Sequence, residues 1–355
     1  MNKKTLTKLL RVITIPIVIT SLVIFPPWQG IKAWIMPLPN SVQEQVDDAI
    51  GYGLDGIIVY VETAGQESEL YTAGWKDRGS KIPADPQALF KIASISKLYL
   101  AVATAKLVSN HELSLDDTLG GYFPELLGRI EYADKITLKQ MLQHRSGLPN
   151  LTDQPNFKWD NPPETSQAWL DLILDLPADF EPDEEYSYSN TNYFFIGEII
   201  DKALGYPHQQ YIKEAILMPL GLNNTYSSLS EVNIDDVMSG YYVGVEADLK
   251  SIDFGMLATA EDVGRFVRAL NDGSVFSGNE QDIYSEIYVY DHKGWVLGYQ
   301  SIARYHDNID TVVVQFVNTV SDETELTTLV IYNRIIDILR KEKSNTLSAP
   351  PREPI

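Results

Sequence analysis

Ser94 and Lys97 stand three residues apart in Phe90-Lys-Ile-Ala-Ser-Ile-Ser-Lys97, and Lys97 is the only charge between Ile95 and Ala105. A segment that is apolar on every side reads as a buried helix, so a lysine one turn from its start must sit in protein rather than in water. Burial favours the neutral amine, and a neutral amine can act as a base. A hydroxyl on the same helical face, close to a helix N-terminus, would then be an activated nucleophile. The same residues also have a plainer reading, in which Ser94 caps the helix and Lys97 runs its head out to the surface.

Two further short patterns could join them. Tyr188-Ser-Asn190 precedes a predicted helix, on a loop from which side chains can reach a cleft. His292-Lys-Gly294 lies in an edge-like strand segment, and its glycine permits close approach of another backbone. The remaining histidines are weaker candidates: His144 reads as a turn residue, and His111, His208 and His306 as surface positions. Histidine spacing supports no metal site, and the acidic run at 181–185 reads as a solvated turn. No cofactor is expected.

The order Ser94-x-x-Lys97, Tyr188-x-Asn190, His292-x-Gly294 resembles the serine β-lactamase and penicillin-binding-protein family, in its class C-like branch with the related D,D-peptidases and esterases. Leu142-Gln-His-Arg-Ser-Gly-Leu148, Pro219-Leu-Gly-Leu222 and Gly255-Met-Leu-Ala-Thr-Ala-Glu-Asp262 extend the likeness over about residues 42–340. The resemblance implies that Ser94 attacks a substrate carbonyl and becomes acylated, with Lys97 and Tyr188 sharing the work of the base. It implies that Asn190 holds Lys97 and the substrate amide, and that the N–H groups of Ser94 and Trp295, the residue after Gly294, form the oxyanion hole. His292 takes the place of a lysine found in many relatives. A neutral imidazole grips a carboxylate less firmly than a fixed cation, so efficient β-lactam hydrolysis is not implied. Lys293 replaces a small hydroxyl residue, and strand alternation points it away from His292. The short stretch from Asn190 to His292 implies a pared-down wall on one side of an open cleft.

Elements able to position these residues can be read from the pattern. Residues 40–50 form an amphipathic helix with Val42, Val46 and Ile50 on one face. Residues 56–63 and 70–75 form a hairpin, and a central helix runs to Ser109. Thr137 and Gln140 make a capping box, residues 166–174 are helical, Gly205 closes a helix over 191–204, another helix covers 208–217, and Thr259 caps one over 260–270. Strands are predicted at 287–292, 296–305 and 309–318, before a long helix over 323–341. Strands at both ends with helices between them predict an α/β chain of the α+β type. Its mainly antiparallel sheet comes from both chain ends, is flanked by helices and carries an inserted all-helical lobe, a β-lactamase/transpeptidase-like arrangement. The predicted division is a leader at 1–39, a hydrolase domain at 40–342 and a flexible tail at 343–355. Within the domain, a sheet lobe covers about 40–93 and 240–342, and a helical lobe about 94–239.

With 355 residues, 44% of them hydrophobic, the chain can bury a sizeable core. Zero cysteines remove disulfides, thiolate metal sites and a cysteine nucleophile. A net charge of −21 argues against nucleic acid as a partner. Residues 1–11 are basic and 12–25 apolar, the layout of a secretory leader, with Ile31-Lys32-Ala33 as its one poor cleavage site. An exported protein tethered to the cytoplasmic membrane by residues 9–25 is expected, facing the periplasm or the cell exterior as a monomer. Its partner would be a small-molecule or peptide substrate. The expected activity is that of a serine hydrolase forming an acyl-enzyme on a small amide or ester: a D,D-carboxypeptidase, an esterase or a weak β-lactamase. A catalytically silent envelope or peptidoglycan-binding module with the same fold is the alternative.

Overall fold

A computed structural model describes residues 14, 20 and 27–348. The tether expected at 9–25 lies outside the described residues, apart from Thr14 and Thr20. Among the described residues no helix is long and apolar enough to cross a membrane.

The first hairpin forms as its alternation requires, with β1 (Gly56–Thr63) antiparallel to β2 (Glu69–Asp77). A short β3 (Ile82–Pro83) edges β2. From the far end of the chain come β4 (His292–Val296), β5 (Tyr299–His306) and β6 (Thr311–Val317). The main sheet runs β3-β2-β1-β6-β5-β4, so the two chain ends meet where β1 pairs with β6, and β4 is left at an edge. Side chains alternate across a strand, and here both faces are covered. Ile58, Tyr60, Val314 and Phe316 join the larger core under the helical lobe. Ile57, Val59, Val61 and Val313 join a second core. That second core is roofed by α1 (Trp28–Ile35), α2 (Val42–Ile50) and α8 (Asp322–Ser348).

The other side carries α3 (Ser96–Ser109), α4 (Leu138–Leu142), α5 (Asn190–Leu204), α6 (Ala260–Asn271) and α7 (Glu280–Ile287). Their ends follow the sequence signals: the Thr137–Gln140 capping box is formed, Gly205 closes α5 at φ 75°, and Thr259 accepts from the Asp262 N–H. The helical lobe also contains the short strand Thr225–Tyr226, which pairs with Leu257–Ala258.

Four boundaries differ from the expectation. Residues 287–291 do not form a strand, which begins only at His292; Tyr284 and Ile287 are buried on α7, whose start is held by the Lys106–Glu280 ion pair at 2.8 Å. Residues 296–305 are not one strand, because Leu297-Gly298 turns the chain between β4 and β5, with Gly298 at φ 90°. The helix expected at 166–174 spans Ser166–Leu170. The C-terminal helix runs to Ser348, so residues 343–348 are helical instead of a loose tail.

The folded unit also starts earlier than residue 40. Ala33 of α1 is fully buried in the second core, and Arg334 of α8 bonds the carbonyls of Met36 and Pro37 at 2.8 and 2.7 Å. Residues 28–37 therefore pack with the body, not with the leader.

Candidate active site

Phe90–Lys91 pairs with Leu257–Ala258, and the Ile92 N–H continues that ladder to the Met256 carbonyl. The chain then turns sharply. Ala93 has φ 48°, a left-handed conformation that costs a non-glycine residue roughly 1–2 kcal/mol. Strain of this kind gathers where a side chain must be presented in a fixed direction. Here it presents Ser94, in the short 3-10 turn Ala93–Ile95 that leads into α3.

Helix α3 is buried almost throughout, Lys97 included, so the lysine does not reach the surface. Its Nζ lies 3.2 Å from Ser94 Oγ and donates to Asn190 Oδ1 at 2.8 Å. Among the described residues no carboxylate approaches it, and burial pushes its pKa down to about 7. Tyr188 Oη lies 2.8 Å from Ser94 Oγ. Burial pushes that phenol up to about 12, although its bond to Ser94 pulls the other way. At neutral pH the pocket therefore combines a protonated tyrosine with a lysine whose neutral form is readily reached.

Asn190, the first residue of α5, is fixed by the loop before it. Its N–H donates to Asn150 Oδ1 at 2.9 Å, and its Nδ2 donates to Thr152 Oγ1 at 3.0 Å. Tyr188 is fixed from below by His144, whose ring centroid lies 4.5 Å from that of the tyrosine. His144 Nδ1 accepts the Ser189 N–H at 3.2 Å. Desolvation first, then the neighbouring Lys97, lowers its pKa to about 3, so the ring stays neutral.

The edge strand β4 closes the site against the nucleophile's turn. A Cβ at Gly294 would lie 2.3 Å from the Ile92 carbonyl oxygen and 2.2 Å from Ser301 Oγ. Only glycine lets the two backbones approach this closely. Alternate N–H groups of an edge strand are unpaired within the sheet, which suits β4 to the oxyanion-hole role that the family likeness gives to Trp295. His292 Nδ1 contacts the Lys293 carbonyl at 2.5 Å, and a carbonyl only accepts, so Nδ1 carries the proton. Its Nε2 then accepts the Tyr288 hydroxyl at 2.8 Å. Desolvation, followed by Lys97, lowers the His292 pKa to about 4, leaving it uncharged with both nitrogens occupied. Lys293 is exposed and lines a cleft on the far side of β4 with Asp322 and Glu325.

The structure thus brings Ser94, Lys97, Tyr188 and Asn190 into one hydrogen-bonded group, with Gly294 against its turn and His292 and Trp295 flanking along β4. Sequence reasoning missed Asn150, Thr152 and Tyr288, and read His144 only as a turn. None of these has a periodic or spaced signal, although Leu142-Gln-His-Arg-Ser-Gly-Leu148 marked the region.

Known proteins share the sequence family and the fold of this chain. A family model described as Beta-lactamase matches residues 40–286. Penicillin-binding protein 4* of Bacillus subtilis (strain 168) is 30% identical over 184 residues, which are 50% of this chain and 40% of that protein. The match thus spans less than half the length of that relative. Among solved structures, D-amino acid amidase from Ochrobactrum anthropi SV3 superposes with a TM-score of 0.74 at 24% identity, covering 87% of this chain and 99% of that one. A penicillin binding protein from Bacillus halodurans gives a TM-score of 0.68 at 19% identity, covering 81% and 98%. The chain belongs to the beta-lactamase family, a family of serine hydrolases.

Proposed function

We propose that the protein is an exported hydrolase that forms an acyl-enzyme on Ser94 with small, uncharged esters or amides. The observation that carries this reading is the position of Ser94 Oγ, 3.2 Å from Lys97 Nζ and 2.8 Å from Tyr188 Oη. Neutral Lys97 takes the Ser94 proton as Oγ adds to the carbonyl carbon, and the N–H groups of Ser94 and Trp295 receive the oxyanion. Tyr188 gives its proton to the departing oxygen or nitrogen and recovers one from the Lys97 ammonium. Water then attacks the ester on Ser94 by the same proton route and releases the acid.

The leaving group must depart beside its proton donor, Tyr188. Tyr188, Tyr288, Val289 and His292 line a cleft of ≈ 280 Å³, together with Glu286. No lysine or arginine lines it among the described residues, and His292 is neutral. Penicillins and peptides with a free C-terminus both carry a carboxylate near the scissile bond, which such a cleft would leave uncompensated. This favours an esterase or amidase over a D,D-carboxypeptidase or β-lactamase. A panel of p-nitrophenyl acetate, an N-acetyl-D-amino acid amide, a D-alanyl-D-alanine peptide and a chromogenic cephalosporin, compared by kcat/KM, tests the reading. The neutral substrates should lead by about tenfold or more; a lead for the peptide or the cephalosporin would overturn it.

Export with the leader retained is part of the proposal. It is supported by basic residues 1–11 and apolar 12–25, and by the burial of Ala33 beside the candidate cleavage site. Mass mapping of the N-terminus of the membrane fraction would find residues 1–33 still attached; a mature chain starting at Trp34 would contradict this part.

A further inference from the structure

All 49 acidic residues of the chain lie from Glu44 onward, and between Val12 and Gln43 the single charge is Lys32. This acid-free stretch contains α1, which is fastened to the body along one side. Gly30 and Ala33 are buried there. A Cβ at Gly30 would lie 3.2 Å from Leu326 Cγ, so the glycine lets α1 lie close against α8. Arg334 of α8 holds the carbonyls that follow the helix, those of Met36 and Pro37.

The other side of α1 is apolar. By helical spacing, Trp28, Ile31 and Ile35 fall opposite Gly30 and Ala33. Trp28 and Ile35 are exposed and Ile31 partly so, and Trp34 beside them, at 74%, is the most exposed large hydrophobic residue among those described. Exposed Met36 continues the patch, and half-exposed Leu326 borders it at Gly30. Lys32 leaves it apolar, because its Nζ turns over the Tyr52 ring at 5.6 Å. Scattered exposed apolar residues are ordinary, but a contiguous group marks a contact surface.

Two observations choose the partner. The eight residues of α1 make a helix about 12 Å long and about 10 Å across. Its outer side falls far short of the roughly 800 Å² per partner that a stable protein interface uses. In addition, only Pro26 and Pro27 separate Trp28 from the apolar run at 12–25. A leader retained in a bilayer therefore delivers α1 to the lipid–water boundary, where tryptophan is favoured.

We infer that α1 is an interfacial helix whose Trp28–Ile31–Ile35 side, with Trp34 and Met36, lies in the lipid headgroup layer and seats the domain on the membrane. A leader alone would tether the domain without orienting it; the seating goes beyond that reading and rests on it. Helices of this kind bury their apolar side by about 5–10 Å. Apolar burial must supply the attraction, since a net charge of −21 is repelled by anionic lipid. Helix α1 lies over the second core, whereas Ala93 and Ile95, which flank Ser94, belong to the larger core across the sheet. Seated on α1, the domain turns its catalytic cleft toward the aqueous side.

The chain has no cysteine, so Ile35→Cys and Met218→Cys can each carry a single nitrobenzoxadiazole label. Ile35 lies at the end of α1 far from the leader, about 10 Å along the axis from Trp28. Met218 is exposed in the helical lobe. The full-length protein is reconstituted into phosphatidylcholine vesicles, with and without phosphatidylglycerol, that contain nitroxide-labelled phosphatidylcholine as quencher. The label on Ile35→Cys should shift to the blue and lose most of its fluorescence in both kinds of vesicle, and the label on Met218→Cys should do neither. Protein that floats with the vesicles while Ile35→Cys stays unquenched, in water or under a second copy, would overturn the seating and leave the leader reading standing. Equal quenching at Met218→Cys would overturn it by showing no fixed orientation. Quenching only with phosphatidylglycerol would replace apolar burial by charge attraction and overturn it too. Protein that does not float with the vesicles would sink the retained leader and the seating together.

Discussion

Gly294→Ala is the substitution with the most direct consequence for the site. The added methyl would sit 2.3 Å from the Ile92 carbonyl oxygen and 2.2 Å from Ser301 Oγ. The serine can rotate away, but the carbonyl cannot, because the Ile92 N–H is tied to Met256 and its oxygen accepts the Ile95 N–H. Normal contact therefore requires β4 to withdraw by about 1 Å. As an edge strand it is free to do so on its cleft side. Overpacking of this size costs about 1–3 kcal/mol, so the variant should fold with a lowered melting temperature. Catalysis should suffer far more. A misplacement of about 1 Å can cost about 10²-fold, and loss of one oxyanion donor costs about 10²–10³-fold. The assay is kcat/KM on p-nitrophenyl acetate beside a thermal melt, with the loss expected mainly in kcat. A folded Gly294→Ala protein within threefold of wild-type kcat/KM would refute the close-approach account of β4.

Three further outcomes follow from the buried lysines. In the proposed mechanism neutral Lys97 is the base, and burial lowers its pKa to about 7, so kcat/KM should rise about tenfold per pH unit below that value and level off above it; His292 and His144, at about 4 and 3, add no step there, and a single rise near pH 10 would contradict the assignment. Stability should also respond: Lys97 and Lys91, at about 7 and 8, bind fewer protons folded than unfolded up to the model-peptide value of 10.5. The melting temperature should therefore rise from pH 7 to 9, and a steady fall would argue against their burial. Lys91→Met should destabilise the protein by about 2–3 kcal/mol in urea titration, because Lys91 Nζ serves the carbonyls of Leu249 and Ile252 at 2.9 and 2.6 Å; an unchanged midpoint would mean those carbonyls find other partners.

What could be read from the sequence was whatever depends on local spacing. Ser94 and Lys97 declared themselves through one charge in an apolar helix, and Thr137, Gly205 and Thr259 marked helix ends through capping chemistry that acts within three or four residues. Strand β1 was legible because its run of Ile, Val and Tyr is bounded by turn residues. Residues 287–291 were misread because Ile-Tyr-Val-Tyr is strand-like in composition, while the forces that place Tyr284 and Ile287 on a helix come from Lys106, far away in sequence. The contacts of Trp159 with Phe254 and Trp295 were illegible for the same reason: the three share no period and meet only through the fold. The docking of α1 was hidden because Trp28–Ile35 follows an apolar run and is nearly as apolar as a leader. Its true partner is the helix at the opposite end of the chain.

The central claim is that Ser94 is acylated. Incubation with a fluorophosphonate, followed by intact mass and peptide mapping, tests it most directly. A single adduct on the peptide containing Ser94, absent from Ser94→Ala and strongly slowed in Lys97→Ala, is the predicted result. An adduct elsewhere, or ester hydrolysis that survives in Ser94→Ala, would contradict it.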